Sequence, residues 1–236
     1  MTDLSPLAIA LVDPVTGFFR KLGIDILTHA FEHLVLVVGA MTIATAVALP
    51  LGIYLSRDRR PRLTGAVMAV AGMIQTVPSL AMVALVVVLF YAIKLPTIGL
   101  APGLTALVLY ALLPILRNTY TGIQQVDPSV VEVAKGMGMT PTQILLRVEL
   151  PLSLPVIMAG VRISAVWTIG VAALVGLVGA GGLGNLIIRG LRNYQMDYIL
   201  AGTLPAAALA LTGDFILQKV QDWLTPAGVE EQASPA

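Results

Sequence analysis

There is no cysteine anywhere in the 236 residues, which excludes disulfides, thiolate metal sites and a cysteine nucleophile. Charge is almost as scarce. Only 11% of residues are Asp, Glu, Lys or Arg, against about 25% in ordinary soluble domains, and 57% are hydrophobic; the chain therefore belongs in a lipid bilayer. The net charge of +1 leaves no basic surface for a nucleic-acid partner. The only two histidines are His29 and His33; four residues apart, they have the spacing of a metal pair, but without further ligands two interfacial histidines are the better reading. No G-x-x-x-x-G-K-[ST] phosphate loop is present, so ATP hydrolysis cannot reside in this chain.

What the chain does have is long apolar runs. Leu34 to Leu55 carries no charge and is long enough for a helix to cross a membrane, and Thr64 to Ile93 is uncharged but interrupted at Pro78. The second run reads as one kinked span or as a span plus a re-entrant segment, since proline removes a backbone bond. With further spans over 104–122, 155–178 and 198–217, the fold class expected is an all-α integral membrane protein of about five helices. Residues 1–33, which lack the basic start of a signal peptide, read as an interfacial segment, amphipathic from Val15 on through Phe18, Phe19, Leu22, Ile26, Leu27 and Phe31. Residues 34–224 form the transmembrane domain and 225–236 a polar tail. Arg57, Arg59, Arg60, Arg62, Arg117, Lys135, Arg147, Arg162 and Lys219 fall on one side of this arrangement, and Arg20, Lys21, Lys94, Arg189 and Arg192 on the other. The positive-inside rule then places the N-terminus outside and the C-terminus in the cytoplasm.

The stretch from 127 to 155 is too polar for the bilayer and reads as a helical hairpin on the cytoplasmic side. Asp127 before Pro128 is an N-cap with proline at the first helical position. Gly136 and Gly138 provide a stop, and Thr140-Pro141-Thr142-Gln143 has the form of a capping box. Ile144, Leu145 and Val148 continue the apolar side until Pro151 and Pro155, where the second helix is expected to end.

Glu132, Ala134, Gly138, Val148, Leu150 and Pro151 stand at the spacing of the EAA loop of ABC-importer permeases, with Val133 and Val148 as conservative departures. IQTVPSLAM (Ile74–Met82), LLPILRNTYTGI (Leu112–Ile123) and GLVGAGGLG (Gly176–Gly184) resemble the permeases of osmoprotectant importers for glycine betaine, carnitine and choline. The likeness runs from about residue 30 to 224 and implies a methionine-permease-like subunit in the bacterial inner membrane, non-catalytic and without a bound cofactor. ATP and magnesium would be held by a partner pair of ATPase subunits. The other implied partners are a second permease, either a copy or a paralogue, and an extracytoplasmic solute-binding protein. A permease for another small zwitterion or amino acid is the alternative, and a secondary transporter the more distant one.

On that resemblance the six loop residues couple to the ATPase. Val130, Val131, Ala134 and Met137 would be its apolar knobs, Glu132 would pair with a basic group or N–H of the partner, and Gly138 would permit close approach. Gln75, Thr76, Ser79, Tyr110, Asn118, Thr119 and Trp167 are the polar or aromatic candidates for the translocation pathway, with Tyr91 also placed for a cation–π contact. Such groups serve as readily for helix–helix contact or interfacial anchoring. Asp214 reads as a structural carboxylate with Lys219 one turn beyond, and GAGGLG as a turn that is either flexible or tightly packed, with the binding protein as a candidate contact.

Overall fold

The computed structural model describes residues 6–57 and 60–224, with side chains from Leu22 onward. Arg59, the tail 225–236 and the side chains of Phe18, Phe19, Arg20 and Lys21 lie outside the described residues. Nine α-helices are present among them: α1 (Pro6–Arg57), α2 (Pro61–Thr76), α3 (Ser79–Ala92), α4 (Leu100–Gln124), α5 (Pro128–Gly136), α6 (Pro141–Ile144), α7 (Leu150–Ala172), α8 (Leu183–Asn193) and α9 (Met196–Leu224). A π-helical turn, Leu145–Glu149, joins α6 to α7, and a 3₁₀ turn, Leu174–Val178, follows α7.

Four helical stretches are long and apolar enough to cross a bilayer alone: Leu22–Arg57, Leu100–Gln124, Pro141–Ala172 and Met196–Leu224. The α2–α3 pair reaches that length only together, and bends by 109° at its break. Neighbouring helices settle how it crosses. Gly39 of α1 faces Leu104 of α4, Gly52 faces Leu116 and Thr119, and Gln124 Nε2 donates to the Ser56 carbonyl at 2.7 Å. Helices α1 and α4 therefore run parallel, so α2–α3 must carry the chain back across between them, as one broken span. Helix α7 is antiparallel to α4 (Gly160 on Pro114 and Asn118, Gly122 on Ser153), and α9 is antiparallel to α7. The result is five crossings.

A break inside lipid exposes backbone groups that no water can satisfy. Pro114 within α4 also has no N–H for the Tyr110 carbonyl. One pair of side chains answers both deficits. The Tyr110 hydroxyl donates to the Val77 carbonyl at the break, and Gln75 Nε2 donates to the Tyr110 carbonyl at 3.4 Å. The core that encloses them joins Leu36, Val37 and Ala40 of α1 to Val83, Val86 and Phe90 of α3 and to Ala106, Leu107 and Tyr110 of α4.

Three expectations change. The helix does not stop at Pro151 or Pro155: it continues from Pro141 to Ala172; a π turn relaxes the i→i−4 ladder where the Pro151 ring enters, and Pro155 is carried inside α7. His33 is fully buried rather than interfacial, with Nε2 donating to the Ile169 carbonyl at 3.1 Å. Arg162 stands within α7, not at the end of a span. The continuity of α1 also joins the sequence's interfacial segment and first span in one helix.

The glycine stretch after the 3₁₀ turn is tightly packed. The Gly182 N–H donates to Glu32 Oε2 at 2.9 Å, and a Cβ on Gly184 would lie 2.0 Å from the Ala173 carbonyl oxygen. Gly184→Ala should therefore abolish stable folding, while Gly65→Ala, with nothing within 4 Å of its Cβ position, should be neutral or stabilising by about 0.5–1 kcal/mol; thermal melts in detergent check both. Tyr110→Phe leaves the Val77 carbonyl without its donor and should lower stability by about 1 kcal/mol. Tyr91→Phe, at an exposed position, should change the same melt by less than the measurement error.

Candidate functional site: the helical hairpin between the fourth and seventh helices

Helices α5 and α6 project from the end of the bundle where α1 and α4 terminate. Their boundaries follow local chemistry. Asp127 Oδ1 accepts the Ser129 N–H at 2.8 Å, and this bond holds its carboxyl below the usual carboxylate range. At the other end the Gly138 N–H donates to the Lys135 carbonyl and the Met139 N–H to the Ala134 carbonyl, the paired bonds of a Schellman turn. Gly138 occupies the left-handed position with φ +80°, where a Cβ is disfavoured. The capping box then starts α6: Gln143 N–H donates to Thr140 Oγ1, and the Thr140 N–H donates to Gln143 Oε1 at 2.8 Å.

The hairpin has an inner and an outer face. Ala134 and Ile144 are buried, so Ala134 is not an outward knob. Val133 takes its place outside. Val130, Val133 and Met137 are 41%, 64% and 76% exposed, and their i, i+3, i+7 spacing makes them one stripe. Glu132 is exposed beside the stripe, Val131 is half-buried, and the space around Gly138 is open. Val148, Leu150 and Pro151 are half-buried in the π turn and the first turn of α7. The six residues brought forward from the sequence thus divide: Glu132 and Gly138 on the free surface, Ala134 buried within α5, and three at the junction with the span.

That junction holds an ion pair that sequence reasoning missed. Arg57, the last residue of α1, pairs with Glu149 in the π turn, and the adjacent Ser56 carbonyl takes the Gln124 bond from α4. An arginine ending one span and a glutamate beginning another were both visible in the sequence, but nothing local connects positions so far apart.

The pathway candidates do not form one cluster. Gln75 and Tyr110 serve the break, and Thr76 and Ser79 flank it, with Thr76 Oγ1 bonded to the Met73 carbonyl. Asn118 Nδ2 donates to the Pro114 carbonyl and Thr119 Oγ1 to the Ile115 carbonyl, both within α4. Trp167 and Tyr91 are exposed on α7 and α3. The Asp214 carboxylate pairs with Arg162, whereas Lys219 lies over the Phe215 ring at 5.7 Å.

Residues 48–227 match the family described as the binding-protein-dependent transport system inner membrane component. The chain is 42% identical to the carnitine transport permease protein OpuCB of Listeria monocytogenes, over 93% of this chain and 97% of the relative. It is 41% identical to the choline transport system permease protein OpuBB of Bacillus subtilis (92% and 96% covered). It is 40% identical to the osmoprotectant import permease protein OsmW of Salmonella typhimurium (84% and 91% covered). The fold is similar to that of a chain in an inward-facing structure of the MetNI methionine ABC transporter, with a TM-score of 0.76 and 22% identity, covering 85% of this chain and 96% of that one. A multi-pass helical chain with these relatives belongs to the inner-membrane permease components of binding-protein-dependent transport systems.

Proposed function

We propose that this chain is the permease subunit of an ATP-driven importer for a compatible solute such as glycine betaine, choline or carnitine, driven through the α5–α6 hairpin by a separate pair of ATPase subunits. The solute class follows the names of the relatives above. The observation that supports the coupling role is the hairpin itself: an apolar stripe with no cover, ending at an open glycine turn, on an otherwise polar projection. Burying valine and methionine side chains stabilises a contact by about 1.5–3 kcal/mol each when complete, so Val133 and Met137 would contribute to a wider contact with an ATPase groove. A second permease, a copy or a paralogue, would complete the pathway, and an extracytoplasmic binding protein would deliver solute to the opposite end. In this reading the hairpin and the C-terminus are cytoplasmic and the N-terminus is outside.

The transmission route is short. Helix α6, the π turn and α7 form one continuous helical path, so a push on the hairpin reaches a span without crossing a flexible loop. The Arg57–Glu149 pair and the Gln124–Ser56 bond tie α1 and α4 to the same point. Docked helices that move as rigid bodies would then swing these spans together between inward and outward openings.

Gly138→Trp should abolish both uptake and co-purification of the ATPase while leaving membrane insertion intact, since a Cβ there has nothing within 4 Å in this chain and the indole beyond it fills the approach to the partner. Unchanged uptake in that variant would sink the coupling role. Glu149→Lys should lower solute-dependent ATP turnover in the reconstituted transporter by about tenfold, within the range of ordinary coupling energies, and adding Arg57→Glu should restore most of it. The melting temperature of the chain should fall in the single variant, which sets two positive charges together where the Glu149 side chain is only 14% exposed, and recover in the double variant.

A further inference from the structure

Arg162 of α7 and Asp214 of α9 form an ion pair at mid-bilayer depth. Arg162 lies about 18 Å along α7 from Leu150 at about 1.5 Å per residue, more than half of a hydrocarbon core of about 30 Å. Its neighbours agree. Val161 shares an apolar groove with Thr45 and Ala46 of α1, well above Arg57, and Ser164 Oγ donates to the Ala111 carbonyl halfway along α4. Charged groups at this depth do not face lipid; they face protein or a water-filled path. Yet the pair is partly open, with side-chain exposures of 24% for Arg162 and 42% for Asp214.

The bonding leaves a usable edge. Asp214 takes the inner edge of the guanidinium, with Nε to Oδ1 at 3.1 Å and Nη2 to Oδ2 at 3.2 Å. The outer Nη1/Nη2 fork carries only a long contact from Nη1 to Gln221 Oε1 at 3.5 Å. A clamp between α7 and α9 needs only the inner edge. The outer fork has the planar, bidentate geometry that matches a second carboxylate.

We propose that Arg162 is a substrate-contacting residue whose outer fork receives the carboxylate of a zwitterionic solute at mid-membrane, with Asp214 as the positioning residue that fixes the guanidinium plane. The proposal rests on the compatible-solute reading above and adds a prediction that reading does not make: glycine betaine, which has a carboxylate, and choline, which has none, should depend on Arg162 unequally.

The test is uptake by the complete transporter in proteoliposomes, with binding protein saturating, comparing maximal rates for glycine betaine and choline. Arg162→Lys keeps the charge and loses the fork. Arg162→Met combined with Asp214→Leu removes both charges at once and strands neither. In each variant the betaine-to-choline ratio of maximal rates should fall about tenfold, equivalent to about 1.4 kcal/mol of lost discrimination, with assembly verified by size-exclusion chromatography. Equal loss of both solutes, an unchanged ratio, or failure of both variants to assemble would make the pair a structural clamp and overturn the proposal. Wild-type transport of choline alone would overturn it while leaving the importer reading intact. Transport of neither solute would overturn the solute class and this proposal with it.

Discussion

A carbonyl without a donor is most costly where there is no water, and this chain places such carbonyls in mid-membrane. The broken second span strips Val77 of its helical partner, and Pro114 does the same to Tyr110. Both are satisfied by one reciprocal contact between two helices, Tyr110 to Val77 and Gln75 to Tyr110. The rest of the bundle depends on this bracket. It allows α3 to turn away from α2 by 109° and still pack Val83, Val86 and Phe90 against α1 and α4. Ser164 adds a further bond to the Ala111 carbonyl from the opposite flank. Helix α4 thus has its backbone serviced from both sides.

Around that hub the helices are held by shape rather than by avoidance of water. Lipid tails are as apolar as leucine, so association comes from close contact at small residues. Gly52 against Thr119, Gly160 against Pro114 and Asn118, and Gly202 against the Leu183 carbonyl bring backbones so near that a Cβ would lie under 3 Å from its neighbour. The large side chains point the other way: Leu85, Val88, Leu89, Leu211 and Phe215 are each more than half exposed. In a soluble protein that pattern would be an aggregation hazard; here it is the lipid-facing surface.

What the sequence made legible was local. Asp127, Gly138 and the Thr140–Gln143 box lie within a turn of the groups they satisfy, so residue type and spacing suffice to find them. Misreadings came where a distant element decides. Ala134 fits the apolar stripe by periodicity, but the folded hairpin buries it. Pro151 and Pro155 are helix stops by propensity, yet the π turn removes the conflict at Pro151 and α7 carries Pro155 within it. His33 and Arg162 looked like edge residues because each is polar near the end of an apolar run. Ile169 and Asp214, contributed by α7 and α9, hold them inside instead.

The two ion pairs differ in kind, and their settings explain why. Arg57–Glu149 sits at a bundle end, with the arginine side chain 35% and the glutamate side chain 14% exposed. Its value on the proposed reading is geometric: it fixes the point at which a force on the hairpin enters α1 as well as α7. Arg162–Asp214 sits where desolvation of each charge costs several kcal/mol and removal of one partner strands the other. A chain that needed only adhesion between α7 and α9 could use the small-residue contacts it employs elsewhere, such as Gly213 against Ile169. Retaining two charges at that depth makes sense when one of them has an edge to offer a charged traveller. The outer fork of Arg162 is that edge.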